Sequence, residues 1–221
     1  MTMPRVGRVL DAVEMRVLGA LLEKEQTTPD IYPMSVNAIV QASNQKTARE
    51  PVMELSEGAV HGALRSLAQN QFVERVEGAR VTKWRHTLDA RWELDSARKA
   101  IMCLLMLRGE QTAGELRTRS DRTHSFASVG EVEQALSELA AGSEPLVRLL
   151  QRQPGQKEAR WGVTIAGGDP PRDASQAVQR YASDEPEDLA TRVADLNRRV
   201  RELERIVGLL STGKSTEPEI S

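Results

Sequence analysis

The sequence predicts a mainly α chain with small β-hairpins, of the α+β class, in which one helical module is used twice. A repeated segment carries that expectation. Residues Ser56 to Leu67 (SEGAVHGALRSL) recur as Ser128 to Leu139 (SVGEVEQALSEL), and both copies read Ser-x-Gly-x-Val-x-x-Ala-Leu-x-x-Leu. Two further observations agree with it. Amphipathic segments precede each copy in the same order, and alternating segments containing Lys83-Trp84 or Arg160-Trp161 follow it.

The elements follow in turn. Leu10 to Glu25 carries Val13, Val17, Leu18, Leu21 and Leu22 at helical spacing. Thr27 to Pro33, with two prolines, ends that helix, and Ser35 is an N-cap for a second one bearing Val36, Ile39 and Val40. A polar connection, Asn44 to Leu55, leads to a third helix capped by Ser56, with Val60, Ala63, Leu64 and Leu67 as its apolar stripe. Phe72 to Val76 and Val81 to His86 alternate around Gly78 and predict a hairpin. The second pass gives a helix over Ala97 to Leu107, capping boxes at Thr112/Glu115 and Ser128/Glu131, and a hairpin from Leu146 to Gln151 and Ala159 to Val163.

Three helices and a hairpin are the order of a winged helix. The predicted architecture is two tandem winged-helix domains, residues 1–94 and 95–166, then a linker (167–187), a coiled-coil-like helix (188–211) and a disordered tail (212–221). In the C-terminal helix Leu189, Val193, Leu196, Val200, Leu203, Val207 and Leu210 alternate in steps of four and three. Valine at a with leucine at d favours a parallel two-stranded coil. These seven residues are the candidates for self-association, and a homodimer is expected; packing of the helix onto its own chain is the alternative.

Bulk properties set limits. Two small domains fit 221 residues, and aromatics are only 3%, so the core is built from Leu, Val, Ala and Met. A net charge of −2 gives no global attraction to nucleic acid or anionic membrane, so any DNA site must be a local patch. The longest apolar run, Ala100 to Leu107, is far shorter than the roughly 20 residues of a membrane span. The single cysteine, Cys103, lies in that run and reads as a core thiol. A cytoplasmic protein with no membrane association is expected.

Catalytic chemistry finds little support. His61, His86 and His124 do not stand at metal-ligand spacing with Cys or one another, and there is no phosphate loop or nucleophile elbow. No catalytic, metal or cofactor residue is assigned, and the expectation is a non-enzymatic protein with no cofactor. For DNA, the third helix and wing should carry Lys and Arg. The second copy's helix offers Glu131, Glu133 and Glu138 instead. The first copy and its preceding connection offer Lys46, Arg49, Arg65, Arg80, Lys83 and Arg85, the candidate DNA contacts. The function expected is a DNA-binding regulator or accessory factor acting through the first domain, with a protein partner on the second. A dimeric protein-interaction scaffold without nucleic-acid binding is the alternative.

The stretch Thr27 to Val52, and above all Asn44-Gln45-Lys46-Thr47-Ala48-Arg49-Glu50-Pro51-Val52, resembles the YceH-like family of bacterial proteins of uncharacterised function. The resemblance spans about Leu10 to Val163. It implies a tandem winged helix, and it implies no catalytic residue and no ligand. In that motif Asn44 and Gln45 can satisfy helix-end groups and Arg49 can pair with a carboxylate; the alternative is a polar insertion presenting Lys46 and Arg49 to a partner.

Overall fold

The computed structural model describes residues 7–76, 81–165 and 200–201. Residues 7–165 fall within one compact unit, and Val200 and Arg201, both helical, within a second. The heptad positions Leu189, Val193, Leu196, Leu203, Val207 and Leu210 lie outside the described residues, as do Arg80 and the expected linker and tail; Val200 is exposed.

The first unit is α+β, with seven α-helices and two small antiparallel sheets among the described residues. Helix α1 (Ala12–Thr27) begins at Asp11, whose carboxylate accepts from the Val13 and Glu14 amides, while the Glu14 side chain accepts from the Asp11 amide. Strand β1 (Met34–Ser35) leads into α2 (Val36–Ser43), capped by Ser35 as expected. Helix α3 (Glu57–Gln69) starts at Ser56, and the stripe Val60, Ala63, Leu64 and Leu67 is wholly buried. Strands β2 (Val73–Val76) and β3 (Lys83–His86) form the hairpin; β1 adds to it in the order β1-β3-β2. A short α4 (Leu88–Trp92), not among the elements expected from the sequence, buries Leu88 and Trp92.

The second pass runs α5 (Ser96–Arg108), α6 (Ala113–Ser120), α7 (Val129–Leu139), β4 (Val147–Leu149) and β5 (Trp161–Val163). The Thr112/Glu115 box is complete. The one expected at Ser128 is modified: Ser128 accepts from the Glu131 amide, but the Glu131 carboxylate reaches the Ala127 amide instead of that of Ser128.

The duplication extends to individual backbone hydrogen bonds. Met34, just before the α2 cap, pairs with Trp84; Gln111, just before the α6 cap, pairs with Trp161. The carbonyl of the last repeat leucine accepts from the residue entering the hairpin, Leu67 from Phe72 and Leu139 from Leu146, each at 2.9 Å. That entering residue then accepts at 3.0 Å from a threonine three residues past the tryptophan, Thr87 or Thr164. The strand registers match as well: Arg75↔Trp84 corresponds to Leu149↔Trp161.

The two copies share one hydrophobic core. They meet through their first helices, α1 on α5, where Gly19 allows close approach. A Cβ there would lie 2.8 Å from a Leu107 methyl carbon. The Leu10 amide donates to the Ile165 carbonyl at 2.7 Å, so the chain entering the first copy is tied to the end of the second.

Candidate nucleic-acid interface

Helix α3 is buried along its repeat stripe and therefore presents the opposite row to solvent. Glu57, His61, Arg65 and Gln69, four residues apart, are all exposed. Ser66 beside them accepts from Arg8 at 3.1 Å. Arg8 also pairs with the buried Glu14.

The five candidate DNA contacts among the described residues separate sharply. Arg65 is exposed on α3 with no ion-pair partner among the described residues, and Lys83 is half-buried on β3. Arg85 is exposed but bonded to Glu74, its cross-strand partner in register. That pairing places a carboxylate beside its guanidinium on the exposed strand face. Lys46 is exposed in the loop after α2, where it lines a cleft away from α3. Arg49 is no surface group. Its side chain is fully buried, and its guanidinium donates to both Glu23 carboxylate oxygens, the Ala42 carbonyl and Gln45 Oε1. The structure thus withdraws Arg49 as a DNA contact and gives it the ion-pairing role.

The rest of the Asn44–Val52 motif locks the loop in the same way. The Asn44 side chain donates to the Leu55 carbonyl at 2.9 Å and accepts from the Leu55 amide at 2.8 Å. Arg16, buried on α1, donates to the Ser43 carbonyl at 3.1 Å and the Pro51 carbonyl at 2.5 Å. Burial and the neighbouring Arg49 bring its pKa down to about 10. The Glu50 amide donates to the Leu107 carbonyl at 2.8 Å, fastening the loop to the second copy. For Glu23, burial opposes ionisation but the Arg49 hydrogen bonds outweigh it, and its pKa lies below the usual value.

The sequence-family profile described as "Protein of unknown function, DUF480" matches residues 10–156. A UPF0502 protein of Chromobacterium violaceum is 52% identical over 160 residues, covering 72% of this chain and 73% of that one. UPF0502 proteins of Shewanella amazonensis (43% over 202 residues, 89% and 94% covered) and Geotalea daltonii (45% over 196 residues, 88% and 87% covered) are similar. The chain belongs to the UPF0502 (DUF480) family. This agrees with the resemblance carried by the Asn44–Val52 motif. The matched span takes in both repeat segments, Ser56–Leu67 and Ser128–Leu139, and stops before β5 and the heptad segment.

The second copy of this UPF0502 chain presents a different face. On α7, Glu131, Glu133, Gln134, Ser137 and Glu138 are exposed; the helix itself carries no basic residue, and Arg98 of α5 reaches Glu138 at 4.0 Å. In the following hairpin Arg160 donates to the Glu110 carbonyl and pairs with Glu115 at 3.0 Å.

One polar cluster had no signal in residue spacing. Glu25, His86 and Asp89 offer ligand atoms within 4.8 Å of one another. His86 Nδ1 accepts from the Leu88 amide at 3.3 Å, which leaves Nε2 to donate to Glu25 at 3.0 Å. The Lys99 ammonium, from α5, bonds both Glu25 and Asp89. A cation already occupies the place between the carboxylates, and the group acts as a tie between the copies. Burial of Glu25 opposes its ionisation, but hydrogen bonds from His86 and Lys99 dominate and hold its pKa at about 2. Cys103 is buried and donates to the Gly19 carbonyl at 3.7 Å; burial pushes its thiol pKa up, away from reactivity. Among the described residues no helix is long and apolar enough to cross a membrane.

Proposed function

We propose that this UPF0502 chain is a non-enzymatic DNA-binding regulator or accessory factor, built as a tandem winged helix, that contacts the duplex through its first copy. The observation that carries the reading is the run His61, Arg65 and Gln69, which follows Glu57 in the exposed row of α3, beside a hairpin bearing Lys83. In a winged helix the third helix enters the major groove, where Arg recognises guanine and Gln recognises adenine. The element order α1, α2, α3, β2, β3 supports the winged-helix reading, and its hydrogen-bond equivalence with the second copy supports the tandem. The closed salt-bridge network around Glu25 and His86 supports a structural rather than a catalytic role for those groups.

The test is a mobility shift of the full chain on random duplex at about 50 mM salt, where even non-specific binders tighten. Retardation is expected, weakened by the double substitution R65A/Q69A. No shift at that salt would falsify the reading.

The acidic face of α7 favours a second reading, a dimeric scaffold that binds protein only. Three exposed carboxylates repel phosphate but suit a basic partner. A partner recovered equally from nuclease-treated and untreated lysate, together with no DNA shift, would select it. In either reading the homodimer rests on the heptad segment. Sedimentation of the full chain and of a chain ending at Pro186 separates the cases: a dimer that becomes a monomer is expected, and two monomers would remove that part.

A further inference from the structure

A cleft of about 370 Å³ lies where the two copies meet, between α1 and the Asn44–Val52 loop on one side and α5 and α6 on the other. Five basic side chains line it: Lys24, Lys46, Arg108, Arg119 and Arg122. Among the described residues lining it Glu23 is the one carboxylate, already bonded by Arg49 and 3.4 Å from Lys24, while Glu115, outside the lining, lies 3.7 Å from Arg119. Arg119 is held in place by Gln111 Oε1 at 2.8 Å and by that Glu115 carboxylate. Arg108 Nε is buried with no hydrogen-bond partner among the described residues. Burial and repulsion from Arg119 and Arg49 hold the Arg108 pKa below the usual arginine range. Lys46 and Arg122 stand exposed at the rim. Concentrated cations in a concave site with a low-dielectric wall attract a multiply charged anion.

Size and lining narrow the ligand. The volume falls within the range of small-molecule sites and far exceeds a bare phosphate. The floor is apolar, formed by Ala48, Cys103, Leu104 and Leu107, and gives a seat to an uncharged organic group. A duplex carries its phosphates on a convex surface and cannot enter. We propose that the cleft binds a small organic polyphosphate of nucleoside-diphosphate size, with its phosphates on Lys46, Arg108, Arg119 and Arg122 and its organic part against the apolar floor. Charge-assisted, bidentate contacts from arginine suit that recognition. None of the lining residues lies on α3 or on the first hairpin, so the site stands apart from the DNA reading.

Calorimetric titration of the full chain with ADP, pyrophosphate and adenosine at about 50 mM salt tests it, low salt being chosen to preserve exposed charge interactions. ADP is expected to bind, pyrophosphate to bind more weakly, and adenosine to give no heat. K46A/R122A, both at exposed positions, is expected to weaken ADP about tenfold or more, since each removes a charge-assisted contact. Four results overturn the proposal. They are no heat from ADP at millimolar concentration, adenosine binding as well as ADP, pyrophosphate binding more tightly than ADP, or wild-type ADP affinity in K46A/R122A. A fifth is a double variant that loses DNA duplex binding while ADP binds neither protein, which would make the cleft part of a nucleic-acid surface.

Discussion

The two copies of the repeat have the same backbone and different faces. Leu67 and Leu139 accept from Phe72 and Leu146 at the same distance, and Trp84 and Trp161 take the same place in their hairpins. Yet the exposed row of α3 is Glu57, His61, Arg65 and Gln69, with one carboxylate, and the exposed row of α7 carries three. Positions constrained by packing and backbone pairing match; positions in solvent do not. Function therefore has to be read from the exposed letters of each copy separately.

If the copies share one core, equivalent core deletions should have equal and global effects. Leu67 and Leu139 are both fully buried. Leu67→Ala and Leu139→Ala are each expected to cost about 2–5 kcal/mol, and either should lower a single urea transition. Trp84 and Trp92 report the first copy by fluorescence and Trp161 the second. Two separated transitions would show that the copies unfold independently, against the shared core.

The motif loop gives the next contrast, between neighbouring cations of opposite burial. Arg49→Ala leaves Glu23 without its buried partner and is expected to cost about 3 kcal/mol. Arg49→Lys should recover little, because Lys cannot supply the forked donors to Glu23 and the Ala42 carbonyl together. Lys46→Ala, on an exposed side chain, should change stability by no more than about 0.5 kcal/mol. Equal effects would mean that Arg49 is not the lock of this loop.

Acid should loosen the tie between the copies. The folded-state pKa of Glu25 is about 2, below the ordinary value of 4.5. Its stabilisation is therefore complete above about pH 4.5 and lost as the pH falls through 2. Comparing urea midpoints of the wild type and Glu25→Gln at pH 7, 4 and 3 checks the sign. The gap should be widest at pH 7 and shrink toward acid; a gap that widens would rule out the ion-pair account.

Much of this was legible in the sequence, and the pattern of misses has physical causes. The repeat, the stripes, the Ser35, Ser56 and Thr112 caps and both hairpins could be read because each rests on residues within one or two turns of one another. Strand β1 could not, since two residues carry no period, and neither could α4, whose only signal is Leu88 and Trp92 four apart. The burial of Arg49 depends on Glu23, 26 positions away, and the Glu25 cluster on Lys99, 74 away. Local spacing holds no trace of either. The sequence shows Arg49 as a cation in a polar loop, which is why it read both as a DNA contact and as an ion-pair partner.

The smallest expected effect concerns the glycine that both copies keep. Gly58 and Gly130 are each the second residue of their helix, after the caps Ser56 and Ser128. A Cβ at Gly58 would meet only Ser56 Oγ at 3.8 Å, and one at Gly130 only Ser128 Oγ at 3.6 Å, both ordinary contacts. Packing does not demand glycine at either place, in contrast to Gly19. Alanine should therefore stabilise, by lowering the entropy of the unfolded chain and improving helix propensity, by about 0.5 kcal/mol at each site. Thermal unfolding of Gly58→Ala, Gly130→Ala and the double variant measures it, and the two gains should add because the sites are independent. If Gly58→Ala instead weakens DNA binding at unchanged stability while Gly130→Ala does not, close approach to a phosphate backbone becomes the reason for glycine in the first copy. The shared letter would then serve different purposes in the two copies.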